Sequence, residues 1–257
     1  MESVKDKIVC ITGASSGIGA ACAEVFAREG SALILSARRG ERLENVARTI
    51  RERYRVKVHS MCLDVTRQRD VENVFASLPE EWQAIDILVN NAGLSRGLDK
   101  IQEGKIQDWE EMIDTNVKGL LYVSRAVLPG MVQRNRGHVV NIGSIAGRQL
   151  YPGGNVYCAS KFAVRALNQG MKMDLLGTQV RVSSVDPGLV ETEFSEVRFH
   201  GDKERAKKVY ADMRPLNGDD VAEAVLFCAT RPPHVNILEV VLVPTAQASV
   251  RDVHRTP

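Results

Sequence analysis

A chain of 257 residues, 44% hydrophobic and 26% charged, has the length and balance of one folded α/β domain, which excludes a disordered or fibrous architecture. Its net charge of +2 and 5% aromatic content supply neither the field for a phosphate backbone nor stacking platforms for single strands, so no nucleic-acid partner is expected. No apolar run reaches membrane-spanning length and no signal-peptide pattern opens the chain, so no membrane partner is expected either.

The five cysteines are odd in number and widely spaced, which argues against disulfides and structural zinc and for a reducing, cytoplasmic setting. The histidines, His59, His138, His200, His234 and His254, show no metal spacing, and no metal site is expected.

Aliphatic and β-branched runs begin near Lys7, Ala32, Lys57, Asp86, His138, Val180 and Ile237. Helical stretches lie between them at 17–28, 42–54, 68–78, 109–132, 155–176 and 219–229. Seven mostly apolar runs alternating with helices predict a buried parallel sheet with crossover helices on both faces. The charged segment 191–215 breaks this rhythm and contains Phe194, Phe199 and Tyr210. It reads either as a substrate-covering excursion or as a solvated helical insertion.

After the first run comes Thr12-Gly13-Ala14-Ser15-Ser16-Gly17-Ile18-Gly19, opening a helix. Glycines there let the backbone approach a pyrophosphate, and the helix N-terminus presents free N–H groups to it. The second run ends Ala37-Arg38-Arg39, with alanine where an NAD site carries an acid. Arginine favours a 2′-phosphate and hence NADP, with Arg38 preferred over Arg39. Past the third run, Asp64 is placed either to accept from an adenine amino group or to cap the next helix.

Asn90-Asn91-Ala92-Gly93 follows the fourth run, and Ser144 follows the fifth. Asn116 sits inside a predicted helix, where asparagine is locally unfavourable; it either perturbs the helix, freeing a backbone carbonyl for a water that links Lys161 to solvent, or simply bonds within the core. Tyr157 and Lys161 are four residues apart on one helical face. A free phenol has a pKa of about 10, and bringing it near neutrality asks for about 4 kcal/mol of differential stabilisation, which a neighbouring ammonium and a cationic nicotinamide can supply.

Taken in order, Thr12-Gly13-x-x-x-Gly17-x-Gly19, Asn90-Asn91-Ala92-Gly93, Asn116, Ser144, Tyr157-x-x-x-Lys161 and Asp186-Pro187-Gly188 resemble the short-chain dehydrogenase/reductase family over nearly the whole chain. The resemblance implies a Rossmann-like, doubly wound seven-stranded parallel sheet in one domain, 1–257, and a catalytic tetrad of Asn116, Ser144, Tyr157 and Lys161. It implies cofactor contacts from Gly13, Ser15, Ser16, Gly17, Ile18 and Gly19, from Arg38, Arg39, Asp64 and Val65, and from Asn91, Ala92 and Gly93. Lys161 and Tyr157 also face the nicotinamide ribose, with Pro187, Gly188, Val190 and Thr192 over the nicotinamide and Asn90 near the adenosine ribose. A homotetramer built through the long helices and the last strand is the family's assembly.

A narrower similarity, carried by Asp114-Thr115-Asn116-Val117-Lys118-Gly119, by Gly153-Gly154-Asn155-Val156-Tyr157 and by the stretch from Thr192 to Phe199, is to NADP-dependent 3-hydroxy acid dehydrogenases. That group includes serine dehydrogenases and malonic semialdehyde reductases. It implies a small substrate whose carboxylate needs a cation, for which Arg198 and Arg148 are the candidates. The alternatives are a reductase of bulkier ketones and a cofactor-binding regulator without turnover. Cys158, beside Tyr157, reads as either an oxidation-sensitive thiol or a packed inert one.

Overall fold

In the computed structural model, which describes residues 2–256, seven parallel strands form one sheet in the order β3-β2-β1-β4-β5-β6-β7. They are β1 (Ile8–Thr12), β2 (Ala32–Ala37), β3 (Val58–Cys62), β4 (Ile87–Asn90), β5 (Gly137–Ile142), β6 (Val180–Pro187) and β7 (Glu239–Leu242). Between them run α1 (Gly17–Arg28), α2 (Gly40–Tyr54), α3 (Gln68–Ala76), α4 (Ile106–Ile113), α5 (Leu120–Gln133), α6 (Asn155–Asp174), α7 (Phe194–Arg198), α8 (Lys203–Lys208) and α9 (Gly218–Ala229).

The apolar runs are continuous because both sheet faces are covered. Along β1, Val9 and Ile11 enter one core with Phe26 of α1, Leu43 of α2 and Val221 of α9, whereas Cys10 between them enters another with Val71 of α3, Val127 of α5 and Val164 of α6. Alternating side chains thus feed opposite cores, and the central strands are buried on both faces. Burying each of these large aliphatic or aromatic side chains contributes about 1.5–3 kcal/mol.

Strand order reverses at β1, which pairs β2 through Val9 and Leu33 and β4 through Val9 and Ile87. A crevice opens at such a reversal, outside the carboxyl ends of the strands, and the loops after β1, β4, β5 and β6 converge there.

Two departures from the sequence expectations bear on function. The helix expected over 109–132 starts earlier and is interrupted by a π-helical turn, Asp114–Gly119, that contains Asn116. The excursion after β6 folds into α7 and α8. Among the described residues, no helix is long and apolar enough to cross a membrane, and no cluster of three His, Cys, Asp or Glu side chains could hold a metal.

Candidate active site

The turn between β1 and α1 is held open by backbone geometry. Gly13 and Gly17 have φ of +67° and +54°, in the left-handed region that favours glycine. A Cβ on Gly13 would lie 2.9 Å from Asn91 Nδ2 and 3.0 Å from Ala92 Cα. Those neighbours are the loop after β4, tied down by Asn91 Nδ2 donating to Thr12 O (2.9 Å) and by Asn91 N and Ala92 N donating to Thr12 Oγ1 (3.0 Å each). Gly19 does not line the crevice; a Cβ there would collide with Gly13 O, so its role is close packing under the turn. Helix α1 begins with no side-chain cap and no acid in its first turn, leaving its N–H groups and positive dipole open at the crevice, where they favour an anion.

Arg38 and Arg39 both reach the crevice edge. Arg39 donates to Ser15 Oγ from Nε (3.3 Å) and Nη2 (3.2 Å), to Ser16 Oγ from Nη2 (2.6 Å), and from Nη1 to Glu193 Oε2 (2.8 Å). Arg38 has no acidic partner among the described residues. Asp64 does not line the crevice and accepts from Thr66 N (3.0 Å) and Thr66 Oγ1 (2.8 Å). It is not the cap of α3 either, because Arg67 holds that position. Val65 does line the crevice. Asn90 is buried among Ser124 and Asn141, each accepting from its Nδ2 at 2.9 Å, so Asn91 rather than Asn90 reaches the crevice.

At the other end, Ser144, Tyr157 and Lys161 are buried and line the same crevice. Ser144 leaves β5 and starts a short 3-10 turn, its Oγ accepting from Ala146 N at 3.1 Å. Lys161 Nζ donates to Ile142 O (2.8 Å). Burial draws the Lys161 ammonium down to about 8, with Asp186 opposing. For Tyr157, burial and then neighbouring Tyr151 push the hydroxyl well above the ordinary phenol value, while the Arg198 guanidinium and Ser144 pull it down. The expected lowering of the Tyr157 hydroxyl by Lys161 is therefore not seen in the protein alone, since Lys161 points at a carbonyl and desolvation outweighs the nearby positive charge.

Asn116 does not line the crevice; its Oδ1 accepts from Leu94 N (2.8 Å), and its Nδ2 donates to Leu94 O (2.8 Å) and Ser160 Oγ (2.9 Å). Its side chain thus pins the loop after β4 to α6, and Gly93 lies against it: a Cβ there would be 3.2 Å from Asn116 Oδ1 and 3.7 Å from Lys161 Nζ.

The two arginines raised as carboxylate partners part company. Arg148 is turned to β6 and β7, donating to Asp186 Oδ2 from Nε (2.9 Å) and Nη2 (2.7 Å) and pairing with Glu239, so it ties strand ends together and does not face the crevice. Arg198 of α7 does face it. Its Nε donates to Ser95 Oγ and its Nη2 to Tyr151 OH, each at 3.0 Å, with no acidic partner among the described residues. Its guanidinium carbon lies 5.1 Å from the Tyr157 ring centroid and 5.2 Å from that of Phe194. Arg96 anchors this helix end, donating from Nη1 to Val197 O (2.6 Å) while its Nε is paired with Glu111 at 2.7 Å. Cys158 is fully buried, and burial raises its thiol pKa, as befits a packed inert cysteine.

The cleft has a cavity volume of about 480 Å³, and Gly13, Ser15, Ser16, Gly17, Ile18, Gly93, Pro187, Gly188, Val190 and Thr192 complete its expected lining. Sequence reasoning missed Arg96, Tyr151, Glu193, Phe194, Gln247 and Val250, which line it too. Arg96, three residues beyond Gly93, carried a positional signal. Gln247 and Val250 carried none, because their approach depends on Gln247 Oε1 accepting from Leu189 N (2.8 Å) across the fold.

A parallel sheet whose order reverses beneath a glycine-built turn, with an uncapped helix start beside it, defines a Rossmann-type dinucleotide-binding protein. The chain belongs to the short chain dehydrogenase family, which it matches over residues 7–203. It is 48% identical over 251 residues to an NADP-dependent 3-hydroxy acid dehydrogenase of Salmonella typhimurium, covering 97% of this chain and 100% of that one. It is 43% identical over 256 residues to an NADP-dependent 3-hydroxy acid dehydrogenase of Schizosaccharomyces pombe, covering 99% of each. Among solved structures, a closed form of serine dehydrogenase complexed with NADP+ superposes with a TM-score of 0.91 at 46% identity, covering 97% of this chain and 100% of that one.

Proposed function

We propose that the protein is an NADP-dependent oxidoreductase of small hydroxy acids, with 3-hydroxypropionate and related 3-hydroxy acids as substrates. The observation that carries this is Arg198, a guanidinium free of acidic partners, held 5.1 Å from the ring centroid of Tyr157 in a cleft that Ser144 also lines. A carboxylate on Arg198 brings a hydroxyl two or three bonds away within reach of Tyr157 and Ser144, by charge-assisted hydrogen bonds. An arginine at that spot disfavours the alternative of bulky lipophilic ketones. Among the described residues, Glu193 is the only acid that lines the cleft, and it is engaged at the arginine end.

The cleft fits NADP: the glycine-built turn admits a pyrophosphate, α1 supplies N–H donors, and Arg38 and Arg39 supply the charge that a 2′-phosphate needs. Bound there, the cofactor supplies a hydride acceptor and, when oxidised, a positive charge beside the phenol. Ser144 orients the substrate oxygen, and Tyr157 takes the hydroxyl proton in oxidation and returns it in reduction. Lys161 favours the phenolate and passes the proton toward solvent. Asn116 acts through the π-helical turn it occupies, which displaces backbone carbonyls from the α-helical ladder beside Lys161. Gly13, Ser15, Ser16, Gly17, Ile18, Val65, Asn91, Ala92, Gly93, Pro187, Gly188, Val190 and Thr192 form the walls of the cofactor site, with Gly19 packing beneath it.

The chain works as one unit, with 191–215 covering the substrate. Assembly as a homotetramer is supported by exposed apolar side chains on the expected elements, among them Leu121 of α5, Phe162 and Met173 of α6 and Val241 of β7. A cytoplasmic location is supported by five free cysteines.

The test is a panel of 3-hydroxypropionate, 3-hydroxyisobutyrate, L-serine and neutral secondary alcohols, followed by nicotinamide absorbance with NADP+ and NAD+. Turnover of the hydroxy acids with NADP+ is expected, abolished to below about one part in a thousand in Tyr157→Phe. Arg198→Leu should weaken kcat/KM for hydroxy acids by about 10–100-fold and leave neutral alcohols unchanged. Equal losses on both substrate classes, or turnover confined to large ketones, would overturn the reading.

A further inference from the structure

Part of the charge that awaits a 2′-phosphate at the cleft edge, that of Arg39, is already in use. Glu193, the residue before α7, places Oε2 2.8 Å from Arg39 Nη1, and both its carboxylate oxygens lie within reach of Arg42 Nη1, at 2.8 and 2.9 Å. The other Arg39 donors go to Ser15 and Ser16. Each of the three Arg39 nitrogens therefore has an acceptor, and Glu193 is the one acceptor that carries charge. A phosphate dianion approaching this guanidinium meets that carboxylate first, and like charges a few ångströms apart repel even near water.

The arrangement also provides an exit. Arg42, in the first turn of α2, does not line the cleft, yet it grips both oxygens of the carboxylate. Glu193 can leave Arg39 and remain paired with Arg42. A dinucleotide that carries a bare 2′-hydroxyl has no charge with which to displace it.

We infer that Glu193 is a specificity-setting residue that competes with the cofactor's 2′-phosphate for Arg39, so that NADP binds by transferring the carboxylate to Arg42. This rests on the NADP reading of the cleft. Its consequence runs against intuition: the native protein discriminates less sharply for NADP than its arginines allow, because one of them starts out neutralised. All three side chains are about half exposed, at 42–55%, so solvent screening keeps the effect modest.

The test is calorimetric titration of wild type and Glu193→Gln with NADP+, NAD+, 2′,5′-ADP and 5′-ADP, with no turnover required. Glutamine keeps the size and removes the charge. NADP+ and 2′,5′-ADP are expected to bind the variant about 3–10-fold more tightly, with NAD+ and 5′-ADP within about twofold of wild type. Unchanged or weaker binding of 2′,5′-ADP, or equal tightening of all four ligands, overturns the inference. A double variant, Arg38→Ala with Arg39→Ala, tests the reading beneath it. If that variant still prefers 2′,5′-ADP to 5′-ADP as strongly as wild type, the phosphate site itself is misplaced, whatever Glu193 does.

Discussion

Lys161 illustrates how much a single residue concedes in stability. Its ammonium is buried and meets one carbonyl, Ile142 O, and burial holds it down to about 8. An unfolded lysine keeps its proton to about pH 10.4, so between about pH 8 and 10.4 the unfolded chain binds more protons and folding stability rises with pH. At pH 7 both states are protonated and the whole desolvation penalty is present, on the order of 3 kcal/mol. We expect Lys161→Met to be more stable than wild type at pH 7, by about 1–2 kcal/mol once the lost hydrogen bond is deducted, and to lose the rise above pH 8. Urea unfolding at pH 7 and pH 9 measures both, and a variant less stable at both pH values would refute the account. Tyr157-x-x-x-Lys161 was legible as a pair because helical spacing alone puts the two on one face. The direction of the Lys161 Nζ was not, since Ile142 approaches it from β5, nineteen positions earlier.

Among the elements, β5 carries a buried imidazole. His138 Nε2 lies 2.8 Å from Ser183 Oγ on β6, Nδ1 has no partner among the described residues, and burial together with Arg181 and Lys7 holds the ring well below the usual histidine range. The unfolded chain takes up a proton near pH 6.5 that the folded strand refuses, so stability is complete above that pH and falls below it by about 1.4 kcal/mol per pH unit. We expect denaturant midpoints of wild type to drop between pH 7 and pH 5 and those of His138→Gln to drop less over that window; parallel curves would remove His138 as the cause. The strands and most helices of this sheet could be read in advance because most strands are mainly apolar runs bounded by turn residues, as in Ala32–Ala37, where Ser36 alone breaks the run. The π-helical turn at Asp114–Gly119 could be suspected from Asn116 but not located, because its stabilising bonds reach Leu94 and Ser160, far away in sequence. Helices α7 and α8 could be raised as one reading of the excursion but not placed, for another reason: at 5 and 6 residues they are too short to display a hydrophobic period, and packing rather than propensity forms them.

For the molecule as a whole, the crevice is a consequence of chain order. Loops from both sides of β1 can meet over one edge only because the sheet grows outward from β1 in two directions. A dinucleotide laid across that edge links the two halves, so NADP+ at about a hundred times its Kd should add about 2.7 kcal/mol to folding and raise Tm by roughly 5–10 °C, with NAD+ at the same concentration giving less. Differential scanning calorimetry with each cofactor checks this, and equal shifts would contradict the assignment of Arg38 and Arg39. Most residues expected at the cofactor end line the crevice, because glycines and arginines at strand ends are marked by position, whereas Gly19 and Asp64 do not. Arg198 could be named as a candidate but separated from Arg148 only when the strand ends were seen to claim the latter through Asp186 and Glu239.

The carboxyl-terminal stretch imposes a practical rule on anyone handling this protein. Gln247 and Val250 stand in the cleft wall, and farther on Arg255 Nη2 donates to Val209 O (2.9 Å) and Thr256 N to Asp212 O (2.9 Å), stitching the tail to the excursion that also carries Arg198. An affinity handle or fusion partner attached at that end would tug on the same strap that presents the guanidinium to substrate. Glu2 donates its N–H to Thr230 O just past α9, a mooring apart from that strap.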